Sequence, residues 1–65
     1  MAQKITTKDL TEISELLEGE NLAYTKFTSY AAQAQDPMLK EKLNRFASHH
    51  RTRYGKLLTY LLSSQ

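Results

Sequence analysis

The sequence predicts an all-α protein: an antiparallel two-helix hairpin that dimerises into a four-helix bundle. Three observations predict this fold. Apolar residues recur at alternating spacings of three and four in the first half of the chain, as in a helix packed along another helix. The same pattern recurs in the second half. Between the two lies one strong helix-breaking signal, Asp36-Pro37, and such a short connection makes the helices antiparallel neighbours.

The first helix is predicted over about residues 6–35. Thr6 and Asp9 match a capping box, in which the Thr6 hydroxyl accepts from the backbone N–H of Asp9 and the Asp9 carboxylate accepts from the N–H of Thr6. Gly19 is the only weak helix former that follows, and residues 1–4 are expected to fray. The predicted seam of this helix consists of Leu10, Ile13, Leu17, Glu20, Tyr24, Phe27, Ala31 and Ala34.

The second helix is predicted over about residues 37–62. Proline is favoured at the first helical position and aspartate before it is a good N-cap, so Asp36 and Pro37 start this helix. Residues 63–65 are expected to fray. The predicted seam consists of Leu39, Leu43, Phe46, His50, Arg53, Leu57 and Leu61. The whole chain, residues 1–65, is therefore one hairpin domain.

Composition restricts the classes of protein to consider. The chain has no cysteine, which excludes disulfides and thiolate metal sites, and no stretch long and apolar enough to span a membrane. Residues 1–35 carry three Lys against five acids, and residues 36–65 carry six Lys and Arg against two acids. An acidic helix beside a basic one explains this asymmetry. A chain of 65 residues buries too little surface to be secure as a lone hairpin, so a homodimer is expected.

Polar residues interrupt both seams at one level. If the chain folds back at Asp36, residue i lies level with about residue 72 − i, so Glu20 lies opposite Thr52, between His50 and Arg53. We interpret Glu20, His50 and Arg53 as a structural polar cluster, an internal salt bridge that fixes the register of the helices. Gly19 and Gly55 fall near this level, where two glycines could let the backbones approach closely, could leave room beside the polar cluster, or could coincide by chance.

A metal site is the alternative interpretation of this cluster. Glu20 and His50 from both subunits could bind a divalent ion if Arg53 turned away. Arg53 itself is a permanent cation without a free lone pair and cannot be a ligand. Helix two has no carboxylate after Glu41, so the ligand count for redox di-iron chemistry fails.

The segments LLEGENLAYTKFTSYAAQAQDPMLKEKLNRFA and RYGKLLTYL resemble the small ferritin-like hairpins related to rubrerythrin and to spore coat proteins. In that family a ligand Glu followed by Tyr precedes an Asp-Pro turn, and the second helix carries Ala-x-x-Glu-x-x-His. Glu20 and Tyr24 match the first part, Asp36-Pro37 the turn, and Ala47 the start of the last motif. His50 stands where the family has Glu, and Arg53 where it has His. The resemblance implies a metal-free ferritin-like bundle associated with the spore coat or sporulation.

The predicted function is therefore that of a non-enzymatic structural or interaction protein. No nucleophile-base pair or glycine-rich phosphate loop is present, and neither a cofactor nor a small-molecule substrate is expected. Nucleic-acid binding would require Arg45, Arg51, Arg53 and Lys56 to share an exposed face, and the seam position of Arg53 argues against it. We expect a cytoplasmic or spore coat location, no membrane association, and protein partners in a larger assembly.

Overall fold

The computed structural model describes residues 5–64 and shows an all-α two-helix hairpin within that range. Helix α1 spans Thr7–Gln33 and helix α2 spans Pro37–Ser63, and the described residues form no strand. The hairpin fold predicted from the two seams and the Asp36-Pro37 turn is confirmed. The fraying predicted for residues 1–4 and for Gln65 lies outside the described residues.

Side-chain caps define where both helices begin. The Thr6 hydroxyl accepts a hydrogen bond of 3.0 Å from the backbone N–H of Asp9, which is the first of the two bonds predicted for the capping box. The Asp36 carboxylate accepts from the N–H groups of Met38 and Leu39, at 3.4 and 3.3 Å, and Pro37 occupies the first helical position. These oxygens satisfy N–H groups that have no partner within the helix.

The helix ends differ from the predicted ones by one or two residues. Helix α1 ends at Gln33 rather than near residue 35, because Ala34 takes up an extended backbone conformation that begins the reversal. Asp36 before proline is also extended, so the reversal is made in three residues. Helix α2 continues to Ser63, where fraying was expected, and the hydroxyls of Ser63 and Ser64 both donate to the Tyr60 carbonyl.

The hairpin forms a single layer of helices with almost no interior. It spans 48 × 19 × 10 Å, and its radius of gyration is 14.9 Å. A compact domain of this length would have a radius of gyration of about 11 Å. Among the described residues, the buried apolar side chains are only Ala31 and Ala47. Two small alanines cannot supply the core of an independently stable domain.

The seam of α2 is rotated relative to the predicted one. The side chains turned toward α1 are those of Leu43, Ala47, His50, Tyr54, Leu57, Leu58 and Leu61, all buried or half-buried. The predicted seam residues Phe46 and Arg53 lie beside this contact and are exposed, and so is Leu39. The small side chain of Ala47 lies on the line of contact between the two helices and is 3% exposed. The neighbouring Phe46 therefore lies at the edge of this contact.

The hairpin also exposes more surface than a monomer of its size usually does. The solvent-accessible surface of the chain is 5285 Å². A compact monomer of the same mass exposes about 4200 Å². The excess, roughly 1000 Å², is similar to the roughly 800 Å² that each partner contributes to a standard protein–protein interface.

Candidate functional site

One face of the hairpin carries most of the exposed apolar side chains, and we call it the broad face. On α2 it is a stripe of residues seven apart, which recur almost at the same angle around a helix. On α1 the corresponding stripe is also seven apart. The broad face consists of Leu16, Ala23 and Tyr30 on α1, and Leu39, Phe46, Arg53 and Tyr60 on α2.

Contacts at both ends of the broad face join the two stripes into one surface. Near the turn, the Phe27 ring lies 6.5 Å from the Tyr30 ring and 5.6 Å from the Phe46 ring, measured between centroids. Toward the open end, residues of both helices line a groove of about 370 Å³. The groove is lined by Leu16, Glu20, Arg53, Lys56, Leu57 and Tyr60. The broad face therefore has an aromatic end and a concave end.

The polar cluster lies between these two ends. His50 Nδ1 is 2.7 Å from Glu20 Oε1, and since a carboxylate can only accept, Nδ1 carries the hydrogen and donates it. The two side chains are 21% and 15% exposed, respectively. The structure thus brings Glu20 and His50 into a short, largely buried hydrogen bond across the hairpin.

Arg53 takes a smaller part in the cluster than the sequence predicted. Its Nε lies 4.0 Å from Glu20 Oε2, beyond hydrogen-bond distance, and its side chain is 63% exposed. In this geometry Arg53 is a loosely associated counter-charge at the surface of the broad face. The strong partner of Glu20 within the hairpin is His50.

A ring stack that sequence analysis missed fixes the orientation of His50. The imidazole lies 5.5 Å from the Phe27 ring, with an angle of 8° between the planes. By backbone level alone the two residues are about five positions apart. Side chains on a helix lean toward its N-terminus, so Phe27 leans toward the open end and His50 toward the turn, and the rings meet. That lean is the signal that would have predicted the stack.

The arrangement limits what the cluster can do chemically. Within the described part of the chain, no group of three or more His, Asp or Glu side chains is placed to hold a metal ion. Glu20 and His50 bond to each other, which leaves only the Nε2 lone pair of His50 and the remaining oxygen of Glu20 for a ligand. One hairpin alone therefore offers an incomplete metal site.

The glycines near the cluster do not mark a close approach of the two helices. A Cβ atom added at Gly19 or Gly55 would meet no atom within 4 Å. Of the three alternatives for these positions, close backbone contact is therefore excluded within the hairpin.

The basic side chains that nucleic-acid binding would need do not share one exposed face. Arg51 and Arg53 are about 200° apart around α2. Arg45 pairs with Glu41 at 3.2 Å.

Neither helix of the described residues is long and apolar enough to cross a membrane.

No family model matches the chain, and no solved structure matches it. A protein of Bacillus subtilis (strain 168), the uncharacterized protein YuzM, is 34% identical over 61 residues. The match covers 94% of this chain and 75% of YuzM. The chain, a two-helix hairpin with a Glu20–His50 bond across it, belongs to the same family as YuzM.

Proposed function

We propose that this protein is a non-enzymatic structural or interaction protein that forms a homodimer through its broad face. The observation that carries the proposal is the roughly 1000 Å² of excess surface, which matches the area of a standard interface. Two hairpins that bury their broad faces would make a four-helix bundle with a continuous core. The bundle would place the exposed Arg53 of each chain inside the dimer, near the polar cluster.

The charges of the helices support a second copy as the occupant of this face. Residues 7–33 carry two Lys and five acids, whereas residues 37–63 carry six Lys and Arg and one acid. A second copy therefore brings an acidic helix and a basic helix to the surface it covers. It also brings apolar side chains, which suit the groove and the aromatic end.

The ferritin-like architecture and the spore coat association are part of the same proposal, and both rest on the resemblance of the sequence segments named above. The matching features are Glu20, Tyr24, Asp36-Pro37 and Ala47. A fluorescent fusion in a sporulating host tests the location. Uniform fluorescence that never concentrates at the developing spore would contradict it.

The mass of the protein in solution tests the dimer. Light scattering is expected to give twice the chain mass of 7.5 kDa. Phe46→Glu and Tyr60→Glu, at side chains 47% and 59% exposed in the hairpin, are expected to shift the mass toward the monomer. Leu22→Glu is the matched control, since Leu22 is 55% exposed and lies about 100° around α1 from Ala23 of the broad face. Equal effects of all three changes, or a monomeric parent protein, would refute the proposal.

Divalent-metal binding by Glu20 and His50 across the dimer is the second candidate function. It is favoured by the hydrogen bond from Nδ1 to the carboxylate, because metal-binding histidines commonly donate one ring N–H to a carboxylate and bind the metal with the other nitrogen. Elemental analysis of protein purified without chelator or affinity tag tests it. One metal ion per dimer, lost in His50→Leu and bound more tightly in Arg53→Ala, would establish this function. A metal-free dimer would exclude it.

A further inference from the structure

A cation held between two tyrosine rings lies on the side of the hairpin away from the broad face. The guanidinium carbon of Arg51 is 6.0 Å from the centroid of the Tyr24 ring and 5.5 Å from that of the Tyr54 ring. Tyr24 belongs to α1 and Tyr54 to α2, so the position of the guanidinium depends on both helices. We call these three residues the Arg51 face. Both tyrosines are half-buried, whereas Arg51 is exposed.

Arg51 also lacks the acidic neighbour that two other arginines have. Arg45 pairs with Glu41, and Arg53 lies 4.0 Å from Glu20. Among the described residues, no carboxylate lies within 4.0 Å of the Arg51 guanidinium. Its positive charge is therefore balanced only by the faces of two aromatic rings, which attract a cation without neutralising it.

This geometry suits recognition of a carboxylate. Arginine presents its N–H donors in a planar fork that matches the two oxygens of a carboxylate. Packing on two rings restricts the long side chain before any ligand arrives, so less conformational entropy is lost on binding. Tyrosine and arginine are also the residue types enriched at the energetically dominant positions of protein–protein interfaces.

We propose that the Arg51 face binds an Asp or Glu side chain of an acidic protein segment. The proposal rests on the proposed role as an interaction protein, but not on dimer formation. Arg51 and Arg53 are two residues apart and so about 200° apart around α2, which leaves the Arg51 face accessible when the broad face is covered. A protein is favoured over a nucleic acid because tight phosphate-backbone binding needs several cations on one face, and here there is one between two rings.

Fluorescence anisotropy with defined probes tests this inference on the full chain. The first probe is a labelled helical peptide with a single Glu flanked by Leu residues, and the second is the same peptide with Gln in place of Glu. A labelled oligothymidine is the third. The Glu peptide is expected to bind saturably, at least tenfold more tightly than the Gln peptide, which corresponds to about 1.4 kcal/mol. The oligonucleotide is expected to bind more weakly than the Glu peptide.

Two arginine variants identify the group responsible. Arg51→Gln is expected to abolish the preference for the Glu peptide, and Arg51→Lys to recover only part of it, because lysine keeps the charge and loses the fork. Arg45→Gln removes the same charge from an exposed position of the same helix and should leave affinity within about twofold. Equal losses in Arg45→Gln and Arg51→Gln, tighter binding of the oligonucleotide, or no saturable binding of the Glu peptide would overturn the proposal. Light scattering on Arg51→Gln separates this result from any failure to dimerise.

Discussion

The hydrogen bond between Glu20 and His50 is predicted to be the main polar interaction that holds the two helices in register. A double-mutant cycle with Glu20→Leu and His50→Leu measures it as the coupling free energy of unfolding. The bond joins Nδ1 and Oε1 at 2.7 Å between side chains that are 21% and 15% exposed. Hydrogen bonds to charged groups contribute about 1.5–3 kcal/mol, and the residual exposure favours the lower value, so we expect a coupling of about 1.5 kcal/mol.

His50→Leu and Glu20→Gln should lower the free energy of unfolding by different amounts. His50→Leu leaves the Glu20 carboxylate largely buried with only the distant Arg53 beside it, and we expect it to cost about 2 kcal/mol or more. Glu20→Gln keeps an oxygen that accepts from Nδ1, so it should cost less than about 1 kcal/mol. The assay is urea unfolding followed by circular dichroism at 222 nm, at matched protein concentrations because dimerisation shifts apparent stability.

Arg53→Ala provides the comparison within the same cluster. With its Nε at 4.0 Å and its side chain 63% exposed, Arg53 should contribute less than about 0.5 kcal/mol to the hairpin. A coupling near zero between Glu20 and His50 would refute the reasoning. So would a cost for Arg53→Ala that exceeds the cost for His50→Leu at the same protein concentration.

Two further changes test local features of the hairpin by the same unfolding assay. Asp36→Ala removes the oxygens that accept from Met38 and Leu39, and should lower the free energy of unfolding by about 1 kcal/mol, whereas Asp36→Asn, which keeps an acceptor, should lower it less. Gly55→Ala should raise the free energy of unfolding by up to about 1 kcal/mol, because the added Cβ meets no atom within 4 Å and alanine favours the helix. A loss of stability in Gly55→Ala would mean that another chain packs against this position.

The sequence was sufficient to predict the hairpin but not the rotation of its second helix. Asp36-Pro37 and the Thr6 cap are local signals, and both act as predicted. In α2, however, apolar residues follow two overlapping stripes, one through Phe46 and one through Ala47, and either could face α1. Only the packed structure shows that the small side chain occupies the contact, so that Arg53 lies beside the seam of the hairpin and not in it.

The partners of the polar residues were predictable only in part, for a related reason. The level of Glu20 relative to His50 followed from the position of the turn, and the structure places their side chains 2.7 Å apart. The Phe27–His50 stack and the Arg51 face depend on which way side chains lean and on the rotation of α2. Neither the lean of the side chains nor the rotation of α2 can be predicted from the spacing of apolar residues alone.

The Glu20–His50 bond helps to fix the register of two helices that bury almost no core between them. With Ala31 and Ala47 as its buried apolar side chains, the described hairpin has few contacts that distinguish one register from another. A slip of α2 by one turn would exchange leucine for leucine only near the open end, at Leu57 and Leu61, and it would separate His50 from the largely buried carboxylate of Glu20. The bond therefore adds to the packing of Ala47 in selecting the register in which the broad face is continuous. In NMR spectra, His50→Leu should therefore broaden the amide resonances of both helices. Leu57→Ala should lower the free energy of unfolding but keep the amide resonances sharp. Equally sharp spectra for both variants would argue that packing alone sets the register.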